Sequence, residues 1–341
     1  MREALDAAEA ASPDLEPEVV ANQAYAHGRK NLLSTARVRE LSRLRPWRPL
    51  LDALGCWAVI LASWTLVAVR PNWWSVALAI PLIGTRYYAL FILGHDGLHR
   101  RLFSAAKHND LFSDLLVFGP IGAITRLNNK NHLDHHRYLA TSSDPDRHKH
   151  ASFNKTSALE LIGFLSGASS VLRSVYNVFI GSRAPRQPNA SRRGYTLRDL
   201  VILLSWQVVL IGGLSVAIGF WAWPVLWLLP VYVFAFLADN ARSFLEHSHP
   251  ESDSLADQHR LITYRSNALE RMFFAPLHMN YHAAHHLWPS IPYYNLPLAD
   301  RELRQLPAAS MLEQRGSYLA YLWRYYRALP LASGRESERA R

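Results

Sequence analysis

Histidine occurs 16 times in this chain of 341 residues, and half of the histidines fall in three short stretches. The first stretch is GHDGLH, the second is NHLDHHRY and the third is NYHAAHHLWP. On a helix, side chains three or four residues apart lie on the same side. Each stretch is therefore predicted to project its imidazoles as one group. The eight residues are His95, His99, His132, His135, His136, His282, His285 and His286.

Three groups of imidazoles indicate a metal site. They favour metal binding over a proton relay and over a chance accumulation of histidines. Adjacent imidazoles without a metal would repel one another on protonation and would lose solvation without gaining a partner. Eight nitrogen donors exceed the needs of one ion, so two ions are expected. Imidazole suits zinc, copper, iron and nickel alike, and the spacing alone does not choose among them. A cysteine cage is excluded, because the single Cys56 lies in an apolar stretch and is predicted to be a buried apolar residue.

Two long apolar blocks must position these stretches. The segment from Leu200 to Ala238 contains no Asp, Glu, Lys or Arg, whereas one membrane-spanning helix needs only about 20 residues. A second block covers 53–94, with Arg70 and Arg86 as its charged interruptions. The sequence therefore predicts an all-α integral membrane protein with two hairpins of transmembrane helices. The predicted spans are about 53–69, 73–94, 200–218 and 222–239.

The net charge of +10 then suits a membrane surface, and a nucleic-acid binder is excluded. Fifteen Lys and Arg residues lie between Gly94 and Leu200, and basic loops stay on the cytoplasmic side of a membrane. Both termini and a helical cap carrying the histidines are therefore expected to be cytoplasmic. We expect a tail with a basic amphipathic segment over 1–50, a membrane domain over 51–300 and a second tail over 301–341. The segment 157–181 is expected to lie along the membrane surface.

The motifs HxxxH, HxxHH and HxxHH, with a membrane hairpin between the last two, resemble the membrane fatty-acid desaturase/hydroxylase superfamily. The continuation HHLWPSIPYYNLP (285–297) resembles its acyl-lipid desaturase branch, and the resemblance covers roughly residues 50–300. It implies two non-haem iron ions as cofactors and O2 as a co-substrate. It also implies one more histidine near the end of the last span. The sequence NARSFLEHSHP offers His247 for that position, with His249 as a weaker candidate.

Four polar residues beside the candidate ligands have two interpretations each. Asn280 either holds a metal-bound water or caps the helix of the third stretch. The three carboxylates either accept the second ring N–H of a ligand on another segment or form surface ion pairs with Arg137, Arg126 or Arg242. These carboxylates are Asp96, Asp134 and Glu246.

Two basic residues are also ambiguous. Arg86 lies in an apolar stretch, from which it either extends to the membrane surface or binds an anionic substrate headgroup. His278 lies four residues before His282 and would extend the same helix face.

The resemblance further implies a separate electron donor, such as ferredoxin, rubredoxin or cytochrome b5. The front-end desaturases of the superfamily carry a fused cytochrome b5 with an HPGG motif and a Gln that opens the third histidine motif. This sequence contains no HPGG, and His282 opens the motif. The segment 95–198, with 15 basic and 7 acidic residues, would suit an acidic donor. The same excess of basic residues equally fits the general tendency of cytoplasmic loops to be rich in Lys and Arg.

The predicted reaction is O2-dependent desaturation of an acyl chain in a fatty acid or lipid. Hydroxylation or ketolation is the alternative within the superfamily, with a carotenoid, a sphingoid base or a specialised amphiphile as the substrate. A metal transporter is a remote alternative, because transport sites lie near the bilayer midplane, whereas these histidines fall at the predicted span ends and in polar segments.

Overall fold

The computed structural model describes residues 32–139, 141, 143–149, 157–167, 194–248, 261–309 and 312–330. Within these ranges the chain is mostly helical, and the two strands have two residues each. The prediction of a helical fold is confirmed. His249, the acidic N-terminal residues and most of the segment 157–181 lie outside the described residues.

The helices, in chain order, are α1 (Thr35–Leu41), α2 (Trp47–Val69), α3 (Trp73–Leu98), α4 (Ala106–Ser113), α5 (Thr125–Tyr138), α6 (Ala158–Leu165), α7 (Leu197–Ala217), α8 (Pro224–His247), α9 (Ala268–Phe274), α10 (His282–Leu287), α11 (Leu296–Leu303) and α12 (Tyr318–Ala328). Turns of π-helix lie within α7 and α8, and another follows α4. Strands β1 (Thr263–Tyr264) and β2 (Gln314–Arg315) pair in parallel.

Helices α2, α3, α7 and α8 are long and apolar enough to cross a membrane, as predicted. Helix α3 begins at a capping box in which Asn72 and Ser75 satisfy each other's backbone N–H groups. It runs four residues beyond the predicted end, to Leu98, and α8 likewise continues to His247. Two of the candidate ligands therefore lie on the rigid ends of membrane-spanning helices.

The two helical hairpins pack together through indole rings. Trp57 of α2 stacks between Trp206 of α7 and Trp227 of α8, with ring centroids 5.3 and 6.2 Å apart and planes 17° from parallel. The indole N–H of Trp57 donates to the carbonyl of Leu116 at 3.0 Å, so its polar atom is also satisfied. Large apolar side chains remain exposed on the outer faces, Val216 at 90%, as expected for surfaces that contact lipid.

Polar contacts dock α1 against the chain that follows α10. The guanidinium of Arg37 on α1 pairs with Glu302 on α11, with nitrogen and oxygen 2.5 Å apart. Leu33 and Leu41, which precede and follow Arg37 in the chain, are both buried. The described part of the basic segment thus packs on the protein, and its helix has only seven residues.

Helices α3 and α8 touch at Gly84, which generates a first prediction. A Cβ atom at Gly84 would lie 2.3 Å from the Phe234 ring, so the Gly84→Ala variant should lose about 1–3 kcal/mol of stability through overpacking. Thermal unfolding in detergent measures the loss. The matched control is Gly55→Ala, because a Cβ there meets nothing within 4 Å. Equal melting temperatures for the two variants would contradict this close packing.

Candidate metal centre

Four helices bring the predicted ligands together. His95 lies in the last turn of α3 and His99 directly follows that helix, whereas His247 is the last residue of α8. The second stretch lies in the last two turns of α5, and the third forms α10. The start of α5 is fixed by Asp114, which accepts the backbone N–H of Thr125 at 2.8 Å and pairs with Arg198 at 2.9 Å.

The imidazole nitrogens gather in two groups, and in each group the candidate ligand atoms lie within 4.8 Å of one another. The three-histidine group consists of His135, His247 and His286, and His282 adjoins it with its Nε2 atom 2.9 Å from that of His247. The weaker candidate His249 is not needed to complete either group. The five-histidine group consists of His95, His99, His132, His136 and His285.

The prediction that each stretch projects one group is correct only for the first stretch. His135 and His136 belong to different groups, and so do His285 and His286. Successive residues of a helix diverge by about 100°, so adjacent histidines point to either side of the helix face. Helices α5 and α10 consequently contribute ligands to both groups, and the two groups become neighbours.

Distances between the ring nitrogens fit a shared cation. The Nε2 atoms lie 2.8 Å apart for His99 and His132, and 3.2 Å apart for His136 and His285. Two nitrogens at 2.0–2.1 Å from one ion, with angles from octahedral to tetrahedral, would be about 2.8–3.4 Å apart. The residues present therefore fit two metal ions in their donor type, number and spacing.

The protonation of the rings also suits metal binding. Burial, together with repulsion from Arg101 and His135, lowers the pKa of His99 to about 3. Burial and neighbouring imidazoles likewise lower the pKa values of five other rings well below the usual value. Neutral imidazoles keep a lone pair for a metal. The five are His132, His136, His282, His285 and His286.

His135 differs from these because it has a carboxylate partner. Its Nδ1 atom lies 2.9 Å from Asp144, which is buried. Burial lowers the pKa of His135, but the attraction and hydrogen bond of Asp144 outweigh burial, and the pKa is raised. A carboxylate on Nδ1 fixes the tautomer that leaves Nε2 to bind a metal. No sequence motif indicated this role of Asp144. The only available signal was a pair of aspartates in SDPDRH, just after the second stretch.

Glu246 has a buried ion pair and lies close to a candidate ligand. Its Oε2 atom accepts a hydrogen bond from Arg242 at 2.8 Å and lies 3.2 Å from Nδ1 of His282, without hydrogen-bond alignment. Its Oε1 atom accepts from the Tyr318 hydroxyl at 2.8 Å. The ion pair with Arg242 is fully buried, not at the surface. This carboxylate therefore connects the end of α8 to α10 and α12.

The other two carboxylates have different partners. Asp96 is buried and accepts the backbone N–H of Tyr293 at 2.8 Å, which fixes the segment after α10 against α3. Asp134 pairs with Lys130 at 2.5 Å on the outside of α5. Within the described residues, neither carboxylate has a hydrogen bond with an imidazole.

Asn280 does not cap α10. Its Nδ2 atom donates to the carbonyl of Tyr264 at 2.9 Å, and its Oδ1 atom is buried without a hydrogen-bond partner in the described chain. His278 has a φ of 65° and belongs to a turn before α10, so it does not extend the face of His282. Arg86 lines a cavity of about 560 Å³ that contains none of the nine candidate histidines.

A compact polar network joins the end of α8 to the strands. The rings of Tyr264 and Tyr318 stack with centroids 3.9 Å apart, and Arg315 donates to the Tyr264 hydroxyl at 3.1 Å and to the Leu245 carbonyl at 3.3 Å. These residues are far apart in the chain, and no sequence motif indicated the network. It positions His247 by holding the residue two before it.

Asp144 provides a second prediction. The Asp144→Asn variant should lose about 10–100-fold in metal affinity, because the amide supports His135 less well than the carboxylate does. Titration with a chelator, followed by metal analysis of the purified protein, measures the change. Asp134→Asn is the control, since Asp134 pairs only with Lys130 among the described residues. The same metal affinity in both variants would exclude Asp144 from this role.

Known proteins of related sequence carry out several oxidations. The chain is 27% identical to the human (Homo sapiens) sphingolipid delta(4)-desaturase/C4-monooxygenase DES2, over 89% of this chain and 88% of the relative. It is 23% identical to a beta-carotene ketolase of Paracoccus sp., over 70% and 88% of the two chains. It is 24% identical to an sn-1 acyl-lipid omega-3 desaturase (ferredoxin) of Nostoc sp., over 65% of each.

The family model for fatty acid desaturases matches residues 71–318. This range includes all nine candidate ligands and three complete candidate spans. The family uses non-haem iron, and its members related to this chain are oxidoreductases. With four apolar helices long enough to cross a membrane and histidine groups that fit metal ions, the chain is an integral membrane oxidoreductase that belongs to the fatty acid desaturase family.

Proposed function

We propose that this protein is an O2-dependent membrane desaturase that introduces a C=C bond into an amphiphilic lipid-like substrate. The observation that carries the proposal is the pair of adjacent imidazole groups, whose rings come from the ends of two membrane-spanning helices and from α5 and α10. The five-histidine group would hold one iron, and the three-histidine group with His282 would hold the other. Two irons at these positions would supply the oxidation of an unactivated C–H bond by O2, which acid–base side chains cannot perform.

The overall reaction balances with two electrons from outside. Two adjacent CH2 groups lose one hydrogen each, O2 accepts these two hydrogens, two electrons and two protons, and the products are a CH=CH unit and two waters. The protein's own residues hold the ligands in place and limit water. Asp144 orients His135, and Phe91 and Phe118 form an apolar side of the adjoining cavity.

Hydroxylation or ketolation remains the second candidate. The specific observation in its favour is the similarity to a beta-carotene ketolase and to a protein described as both a desaturase and a monooxygenase. In hydroxylation one oxygen atom of O2 enters the substrate, and the other leaves as water with two electrons and two protons from outside; ketolation repeats this step at the same carbon and then loses water. Mass spectrometry of the product separates a loss of two hydrogens from a gain of one oxygen. A metal transporter is disfavoured because the candidate histidines lie at the ends of the spans or on α5 and α10 outside them.

We further propose that both termini and the histidine groups face the cytoplasm and that a separate protein supplies the electrons. The excess of Lys and Arg between residues 94 and 200 supports this orientation. The ferredoxin in the name of the Nostoc relative supports a small acidic donor, for which rubredoxin and cytochrome b5 are the alternatives.

A third prediction tests the ligand set. The variants His95→Ala, His135→Ala and His285→Ala should each abolish turnover and lower the iron content from about two per chain, because each removes a nitrogen from one group. Iron analysis and product analysis of membranes check this. The three variants should still insert into the membrane.

His108→Ala is the matched control, since His108 is exposed and belongs to neither group. Its iron content and turnover should equal those of the unmodified chain. Substoichiometric, exchangeable zinc in place of iron would contradict the proposed function, and turnover in any of the three variants would remove that residue from the ligand set.

A further inference from the structure

A second polar cavity lies between the first hairpin of spans and α9. It measures about 560 Å³, and α2, α3, α9 and the turn before α10 form its walls. We call it the arginine cavity, because Arg86 of α3 and Arg271 of α9 both line it. Asp52 is the one carboxylate among its described lining residues. The cavity therefore combines an excess of positive charge with a position beside two membrane-spanning helices.

The depth of Arg86 in the membrane makes its charge costly. Arg86 lies as many residues after Trp73, where α3 begins, as Cys56 lies before Val69, where α2 ends. A rise of 1.5 Å per residue places both about 20 Å from the tip of this hairpin. The hydrocarbon core of a bilayer is about 30 Å thick, so Arg86 leaves its helix about 10 Å inside the other boundary. A charge at such a depth requires an anionic partner or a path to the surface.

The two arginines of the cavity have most of their N–H groups free for a ligand. Within the described residues, the Arg86 side chain has no ion pair and no hydrogen bond. Arg271 donates to the carbonyl of Ser266 and has no carboxylate partner in the same part of the chain. Asp52 accepts the hydroxyl of Tyr293 instead of pairing with either arginine. Because a guanidinium group has five N–H donors, the cavity wall offers several unused donors to one ligand.

Neighbouring charges make this region more positive still. Burial, followed by the charge of Arg271, lowers the pKa of His278. Arg48, one turn before Asp52 on α2, adds to this effect, whereas Asp52 opposes it. The His278 ring is therefore neutral at pH 7, and three guanidinium groups stand against one carboxylate. This excess favours an anionic ligand over a zwitterionic one, whose own cation it would repel.

The arginine cavity is separate from the candidate metal centre. Arg86 lies nine residues before His95 on α3, and nine residues make two and a half helical turns. The two side chains therefore leave α3 on opposite sides. None of the nine candidate histidines lines the cavity. An anion bound there has α3 between itself and the imidazoles, which favours a lipid other than the one that is oxidised.

The cavity opens toward the outer face of α2. Leu51, which lines it, is 59% exposed. Gly55 also lines it, and a Cβ atom added there would meet nothing within 4 Å. The volume falls in the range of about 300–1,000 Å³ that is typical of sites for whole small molecules. A glycerophosphate head therefore has room in the cavity while its acyl chains stay in the bilayer along α2.

We propose that the arginine cavity binds the phosphate of an anionic phospholipid from the surrounding bilayer, with Arg86 and Arg271 as the donors. Guanidinium groups bind phosphate through paired N–H···O bonds, and basic pockets between membrane helices take anionic head groups. The bound lipid joins α2 and α3 to α9 and to the turn before α10. It takes no part in the oxidation and needs no metal.

The test measures lipid binding to the full chain in detergent by native mass spectrometry. The probes are dioleoyl phosphatidylglycerol, dioleoyl phosphatidylcholine, oleic acid and inorganic phosphate. Phosphatidylglycerol should bind about tenfold or more tightly than phosphatidylcholine. Inorganic phosphate should not displace it, because only the lipid also gains apolar contacts along the spans.

Three outcomes with these probes would overturn the inference. Equal affinities for the two phospholipids would show that the cavity does not select an anionic head. Equal or tighter binding of oleic acid would assign the cavity to a fatty-acid carboxylate. Displacement of phosphatidylglycerol by inorganic phosphate would assign it to a free anion.

Three variants locate the binding in the arginine cavity. Arg86→Gln and Arg271→Gln should each weaken phosphatidylglycerol binding about tenfold, because each removes a charged donor. Gly55→Leu should weaken it to a similar extent with every charge retained, since its side chain would fill the open space. Arg70→Gln is the matched control, because Arg70 is exposed at the tip of the same hairpin and does not line the cavity. Its affinity should stay within twofold of the unmodified chain.

Unchanged affinity in both arginine variants would contradict the proposed site, and so would an equal loss in Arg70→Gln. Thermal unfolding in lipid-free detergent shows whether each variant is folded. If an arginine variant does not fold, Gly55→Leu decides in its place. Lipid affinity is measured without turnover and without iron, so its outcome is distinct from that of the proposed oxidation.

Discussion

The packing of nine imidazoles around a common space is the constraint on which the rest of the structure depends. Ring nitrogens as close as 2.8–3.3 Å would repel one another if they were protonated, and two neutral rings can share only one hydrogen bond. Two metal ions would satisfy the lone pairs of these rings at once. Four helices must therefore meet at the same place. Their packing must hold the rings together although the rings lose contact with water there.

The membrane spans and the polar segments outside them both help to place the imidazole rings. Helices α3 and α8 carry His95 and His247 on continuous helical backbone, so the apolar packing of tryptophans between the spans also positions these two ligands. The buried carboxylate of Asp144 hydrogen-bonds to the His135 ring, and Glu246 links the end of α8 to α12 through Tyr318. The stacked tyrosines and Arg315 then hold the end of α8 against the strands. The two histidine groups thus depend on contacts from residues outside the candidate ligand set.

The same helices separate polar from apolar space. Helix α8 presents Asp239, Arg242 and Ser243 to the ligands, and its opposite side faces the large apolar cavity. Asp239 and Arg242 form an ion pair beside the histidines, so the polar side of α8 is directed toward the candidate metal centre. Family membership leaves the substrate open, because relatives at 23–27% identity are named for a sphingolipid, a carotene and an acyl lipid.

The sequence by itself determined the helical membrane fold, the positions of the four spans and the eight histidines of the three motifs, because hydrophobic length and helical spacing are local properties. His247 also followed from the sequence, once the resemblance supplied its place after the last span. Only the tertiary structure decided how the rings divide between two groups, that Asp144 supports His135, and that Arg86 faces another cavity. These features depend on how each helix is rotated against partners that are distant in the chain, and local periodicity carries no information about that rotation.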